Sequence, residues 1–289
     1  MPDEKSNSPQ KINFNQFPSL LKEIPDPPKQ LYMEGNLPDE DSIFLGVVGT
    51  RKFSTYGKQA CEKILEGLKG YNIVIVSGLA IGIDAIAHRA ALDASLKTIA
   101  VPGSGIDRSV LHPRSNHRLA DDIIKSGGAL LSEFEPKMPA GIHTFPIRNR
   151  IIAGLSHATL VIEAPERSGT SITARLALEY DRDVYAVPGS IFSLNSTGSN
   201  KLIRQGATPI TSSTEMVEAL GLDPKENRQQ EINFSDNEKQ ILDMIDNPLE
   251  KDELLRLSGL SPKEINPLLM TMEIKGFIKE AGGKIFKNI

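Results

Sequence analysis

From residue 43 onward, short apolar runs alternate with segments whose apolar positions recur at helical spacing, and glycine or proline punctuates each join. The runs predict strands over 44–48, 73–77, 98–101, 129–132, 159–163, 184–187 and 208–210. The periodic segments predict helices over 57–69, 83–93, 116–126, 147–155, 171–180, 199–205 and 213–220. Strands that alternate with helices imply a doubly wound α/β domain with a mostly parallel sheet, here assigned to residues 42–222. The near-continuous apolar character of the strands fits a sheet buried on both faces. The stretch AVPGS occurs twice, at 100–104 and 186–190, each time ending a strand with proline and glycine. Two similar strand-to-loop exits explain the repeat, and both loops fall at the sheet edge where ligands of such folds bind.

The flanks read differently. Residues 1–41 are rich in proline and acid (EIPDPPKQLYMEGNLPDED), which predicts a flexible start and an extended arm. Residues 223–233 are polar and linker-like. In residues 234–289, Ser235 and Glu238 have capping-box spacing, and helices are predicted at about 236–246, 250–257 and 261–275. The glycine-separated FIKE and KIFK then read as a hairpin, which completes a winged-helix plan. Its presumptive recognition helix (SPKEINPLLMTMEIKG) carries few base-edge donors, so packing or protein contact is favoured over duplex reading.

Composition narrows the function. The net charge of −4 argues against indiscriminate nucleic-acid binding. The charge is uneven: residues 1–40 carry −3, residues 41–220 +2 and residues 221–289 −3, so a polyanion site belongs in the middle segment. With no tryptophan and 5% aromatic residues, an extensive stacking surface is not expected. The lone cysteine, Cys61, forms no intrachain disulfide and fits a reducing, cytoplasmic setting. The most apolar stretch, 73–87, is broken by Ser77, Gly78, Gly82 and Asp84, which excludes a membrane span there.

Several strand exits carry candidate chemistry. VVGTRKFSTYG offers Gly49 for a tight exit, hydroxyls at Thr50, Ser54 and Tyr56, and cations at Arg51 and Lys52. It lacks the spacing of a dinucleotide-binding loop, and taken alone it is an ordinary surface turn. SGLAIGIDAIAH places Asp84 at a helix start, where an acid complements the dipole, and His88 one turn on as a structural residue. VPGSGIDRSVLHPRSNHRL brings Gly103 and Gly105 close to something and puts Arg114 and Arg118 four apart, at the spacing of one helix face. His112 and His117 form no convincing metal set. EAPERSGTSITA sets Ser168, Gly169, Thr170 and Ser171 before a helix, which suits phosphate or ordinary capping. Lys201 and Arg204 follow the second AVPGS. In HTFPIRNRIIAGLSHA, Arg148, Asn149 and Arg150 fall at the predicted helix start, where cations oppose the macrodipole. An anion there would offset the conflict. The two arginines, two positions apart, point to different sides. One is expected to face that anion and the other to brace an acid such as Glu133 or Glu163.

Each loop is a weak signal, but a doubly wound sheet gathers them at one edge, and together they imply a polyanion groove. In this order, VGTRKFSTYG, SGLAIGIDAIAH, PGSGIDRSVLHPRSNHRL, LLSEF, FPIRNRIIAGLSHA, EAPERSGTSITARLALEY and AVPGSIFSLNSTGSNKLIRQGA resemble the DNA-processing protein A family, also called Smf. The tail is similar to that family's winged-helix appendage. The resemblance implies a Rossmann-like domain that binds single-stranded DNA without base specificity. It also implies a cytoplasmic homodimer that loads the recombinase RecA in natural transformation and DNA recombination, with no chemical catalysis, cofactor or metal. By motif match, Arg51, Ser77, Gly78, Gly105, Arg148, Asn149, Arg150, Ser168, Gly169, Thr173 and Lys201 form or line the DNA site. Lys52, Ser54 and Arg114 join them from the same loops. His112 departs from the tyrosine frequent in the family, which weakens an aromatic role there. Members often carry a helical domain before the arm, for which this chain leaves no room.

Two other readings compete. A nucleoside monophosphate phosphoribohydrolase shares the fold class, but APERSGTSITA lacks the double glycine and following acid of that loop, leaving Glu163 and Glu166 as the local carboxylates. A transcription factor acting through the winged helix would need a more basic recognition helix.

Overall fold

The computed structural model describes residues 9–166, 168–224, 235–245, 249–274, 277–281 and 283–287. The chain forms two compact units, Met1–Pro224 and Lys225–Ile289.

In the first unit, the apolar runs form strands β3 (Ile43–Val48), β4 (Ile73–Ser77), β5 (Lys97–Ala100), β6 (Ala129–Ser132), β7 (Ala158–Val161), β8 (Asp183–Ala186) and β9 (Thr208–Pro209). All seven run parallel, in the order β6-β5-β4-β3-β7-β8-β9. Side chains alternate between the two faces, as a strand requires. Leu45, Val47, Ile73 and Ile75 enter one core with α2 (Thr55–Glu66) and α3 (Ile83–Asp93). Phe44, Val48, Val74 and Val76 enter the other with α5 (Thr144–Leu155) and α6 (Gly169–Glu179). Helices α4 (His117–Lys125), α7 (Thr197–Arg204) and α8 (Ser213–Ala219) complete the layers.

The predicted arm does more than extend. It supplies β1 (Gln10–Ile12), the short α1 (Ser19–Lys22) and β2 (Leu31–Gly35). β2 pairs antiparallel with β6, and β1 antiparallel with β2, so the sheet has nine strands among the described residues. Ile12, Phe17, Leu21, Ile24 and Leu31 are buried in the same core as α5. The arm packs closely where it crosses that helix: a Cβ on Gly154 would lie 2.9 Å from the Ile24 side chain, which would have to shift.

α5 begins at Thr144, three residues before its predicted start, because Pro146 is tolerated in a first helical turn. Arg148 therefore lies in the second turn. The dipole effect falls off within the first, so the expected charge conflict is smaller than the sequence implied.

In the second unit, the described helices are α9 (Asp236–Met244), α10 (Lys251–Ser258) and α11 (Pro262–Ile274), followed by β11 (Ile278–Ala281) and β12 (Lys284–Lys287). β10 (Leu249–Glu250) joins that hairpin on the β12 side. The Ser235–Glu238 capping box is formed. Ile241, Leu254, Ile265, Met272 and Ile285 give this unit its own core. The predicted linker falls almost wholly outside the described residues.

Candidate nucleic-acid interface

The chain runs β3 to β6 in one direction across the sheet and then returns to place β7 on the other side of β3. Strand order reverses there, and the exits of the two central strands diverge to leave a crevice. A cavity of about 290 Å³ occupies it. Thr50 and Arg51 reach it from the β3 exit, Ala80 and Asp84 from the β4 exit and the first turn of α3, Phe145, Arg148 and Asn149 from α5, and Ser168, Gly169, Thr170 and Thr173 from α6.

Arg148 is the deepest cation, only 4% exposed. Its Nη1 donates to the carbonyl of Val101 at 2.7 Å. Its Nε is buried and has no hydrogen-bond partner among the described residues. Burial pushes its guanidinium down to about 10, opposed by the Asp84 charge, so it stays a cation at neutral pH. Burial raises the Asp84 carboxyl above its usual range; Arg148 and the amides of Ala80 and Gly78 pull it back down. Gly78 makes this packing possible, since a Cβ there would sit 1.6 Å from Arg148 Nη1.

Arg51 is exposed at the mouth, its guanidinium 4.8 Å from the centroid of the Phe145 ring. Such a cation–π contact orients the charge without neutralising it. His112 packs edge-on against the same ring at 6.0 Å, so an aromatic contact survives at that position. Across the cavity, Ser168 makes no side-chain cap bond to α6, and an uncapped helix start favours an anion. Asn149 donates to the Gly169 carbonyl at 3.3 Å, and the Thr173 hydroxyl does so at 3.5 Å; both hold that first turn in place.

The other residues expected at DNA take different positions. Arg150 turns away: it pairs with Glu133 and donates to the Asp26 carbonyl at 2.8 Å, bracing the arm against the β6 exit. Ser54 caps α2, with its hydroxyl donating to Glu163 at 2.6 Å and its amide to the same carboxylate at 2.9 Å. Ser77 is fully buried, its hydroxyl on the Val47 carbonyl at 2.6 Å. Gly105 faces backbone, because a Cβ there would meet the Pro136 carbonyl at 2.2 Å. Lys52 is exposed next to Arg51 but does not line the cavity. Arg114 is exposed in the 3-10 turn Arg114–Asn116, which leads directly into α4 and Arg118, and it does not line the cavity. Lys201 pairs with Glu166 at 2.9 Å, apart from the cavity. The carboxylates open to a hydrolase are thus engaged, Glu163 by Ser54 and Glu166 by Lys201. His88 is fully buried, its Nδ1 2.7 Å from the Thr98 hydroxyl, and burial pushes it down to about 3; it is neutral and structural.

Sequence reasoning did not select Phe145. Its i,i+3 spacing from Arg148 places both on one face of α5, and that spacing was the available signal. It took Asp84 for a dipole partner only, although the residue also lines the cavity.

This architecture defines a Rossmann-like α/β protein with a cavity lined by Arg51 and Arg148 at its switch point, followed by a winged-helix unit. The chain belongs to the DNA recombination-mediator protein A family, whose model matches residues 11–221, and the DprA winged helix domain matches residues 224–284. It is 45% identical over 204 residues to Protein Smf of Escherichia coli (strain K12), covering 71% of this chain and 54% of that protein's length. It is 44% identical over 215 residues to DNA processing protein DprA of Streptococcus pneumoniae, covering 71% of this chain and 74% of that one. Among solved structures, DprA from Streptococcus pneumoniae superposes with a TM-score of 0.67 at 41% identity, over 74% of this chain and 75% of that one. DNA processing protein A from Helicobacter pylori, solved for its unique single-stranded DNA binding mode, gives 0.64 at 30% identity, over 73% of this chain and 95% of that one. No helix among the described residues is long and apolar enough to cross a membrane.

Proposed function

We propose that this chain binds single-stranded DNA without base specificity, with a backbone phosphate seated in the switch-point cavity. The observation that carries the reading is Arg148, a buried cation that lines a cavity also lined by Arg51 and an uncapped helix start. A phosphate satisfies all three at once. The Helicobacter pylori relative, described by its single-stranded DNA binding mode, supports single-stranded DNA as the ligand. Asn149, Ser168, Gly169 and Thr173 shape the cavity, Lys52 adds charge at its mouth, and Gly78 admits Arg148. Arg150, Ser54, Ser77 and Gly105 act as supports. Arg114 and Lys201 contact the strand beyond the cavity. Family membership supports the wider role: a cytoplasmic homodimer that assists RecA loading in natural transformation and recombination, without chemical catalysis.

A salt series comparing oligothymidine with duplex DNA tests the reading. Affinity for the single strand falls as salt rises, and Arg51→Ala flattens the slope of log affinity against log salt by about 0.7, the value for one phosphate contact on a single strand. Arg51→Glu weakens binding at least about tenfold, consistent with loss of a charge-assisted bond. Arg51 is exposed, so neither change disturbs the core. Parental binding by both variants would remove Arg51 and the cavity mouth from the interface. Release of free adenine on incubation with AMP would favour the hydrolase instead, with Asp84 as the carboxylate in the cavity.

A further inference from the structure

Among the described residues the exposed aromatic rings are Phe14, Phe53, Tyr56, Phe192 and Phe286. Three of these five sit on two segments that hydrogen-bond to each other, one of which continues from Arg51 at the cavity. Phe53 and Tyr56 follow Arg51 on the β3 exit. Phe192 sits in the loop after β8 and is 92% exposed, flanked by Ile191 at 82% and Leu194 at 80%. The two segments are pinned at two points: the Tyr56 hydroxyl donates to the Pro188 carbonyl at 2.6 Å, and the Asn195 amide donates to the Lys52 carbonyl at 2.7 Å. Asn200 holds the base of the loop, accepting from the Gly189 amide at 3.1 Å and donating to its carbonyl at 3.0 Å. These rings are therefore held out to solvent by a tethered backbone.

An exposed apolar cluster of this kind marks a binding surface, and what surrounds it selects the occupant. Arg51 and Lys52 are exposed between the cavity and the rings. Two residues of extended chain span at most about 7 Å, so Phe53 lies within a short reach of Arg51. A strand with one phosphate in the cavity carries its neighbouring bases onto this surface. Flat rings beside cations suit bases, because every base offers a π-face whatever its identity. We propose that Phe53, Tyr56 and Phe192 form a small base-stacking platform continuous with the phosphate cavity; this rests on the reading of that cavity as a phosphate site. Such a platform adds affinity while preserving indifference to sequence. It also fits the low aromatic content, since three rings suffice.

The test titrates the full chain with oligothymidine and with an abasic oligodeoxynucleotide of equal length. Phe192→Ala and Phe53→Ala each lower affinity for oligothymidine about tenfold, in the range of one lost stacking contact, and leave the abasic strand unaffected. Phe192→Tyr keeps the parental values. The chain has no tryptophan, so Phe192→Trp introduces a single indole, whose emission oligothymidine quenches and the abasic strand does not. Phe192 is 92% exposed, so its truncation removes no core contact. Equal losses on both strands, unchanged oligothymidine affinity in both alanine variants, or an indole blind to oligothymidine each overturn the platform. Unchanged affinity would leave the patch to a protein partner. If the parent binds neither strand, the phosphate reading itself fails; if it binds and the variants match it, only the platform does.

Discussion

Arg148 keeps its charge while 4% exposed, and one of its nitrogens lacks a partner among the described residues. Holding a buried cation with an open donor costs free energy, which the phosphate proposed for the cavity would offset. Position is therefore as important as charge, and Gly78 sets the position. Adding one methyl there would place a carbon 1.6 Å from Nη1 and 2.5 Å from the Asp84 carboxylate. The guanidinium must then leave the Val101 carbonyl. Gly78→Ala is expected to lower single-stranded DNA affinity by at least about tenfold, the scale of one charge-assisted bond. Circular dichroism should still show a folded chain. A folded Gly78→Ala protein with parental affinity would show that the placement of this guanidinium does not matter to binding.

At the scale of elements, α5 performs two tasks from positions two residues apart. At about 100° per residue, Arg148 and Arg150 face different neighbours, one toward the cavity and one toward Glu133 and Asp26. Arg150 thereby ties the arm to the parallel sheet. Arg150→Ala is expected to reduce stability by about 1–3 kcal/mol, because it strands a largely buried Glu133. It should also speed amide exchange in residues 21–35 while leaving the salt slope of DNA binding unchanged. A slope as flat as that of Arg51→Ala would place Arg150 on the DNA instead. The separate tasks were legible in the two-residue spacing, but which arginine did which was not, because Asp26, Glu133 and Val101 converge on α5 only in the fold. The central strands were legible because burial on both faces writes an unbroken apolar run. β2 was not: its sequence LYMEG includes Glu34, which is 6% exposed and paired with Arg108 at 3.0 Å, a partner 74 positions away. The hydroxyls of Ser54 and Ser77 read alike whether they meet phosphate or backbone, and only their hydrogen bonds distinguish the two.

At the scale of the whole molecule, charge and chemistry divide unequally between the units. The mildly positive middle segment builds the cavity, while residues 221–289 carry −3. Duplex binding draws on released counterions and base-edge donors, and α11 offers little of either. Lys263 adjoins Glu264, whose carboxylate is held by the Ser261 hydroxyl at 2.6 Å, and Met270 on the same helix is 66% exposed. That surface suits an apolar protein contact better than a groove. Each unit has its own hydrophobic core, so each should fold when separated at the boundary after Pro224. Residues 1–224 are expected to bind oligothymidine with the affinity and salt slope of the full chain. Residues 225–289, folded by circular dichroism, are expected to bind neither duplex nor single strand in the same titration. Tight duplex binding by the second fragment would transfer a DNA-reading role to the winged helix. A large loss of affinity in the first would mean that the cavity and the three-ring surface do not carry the strand alone.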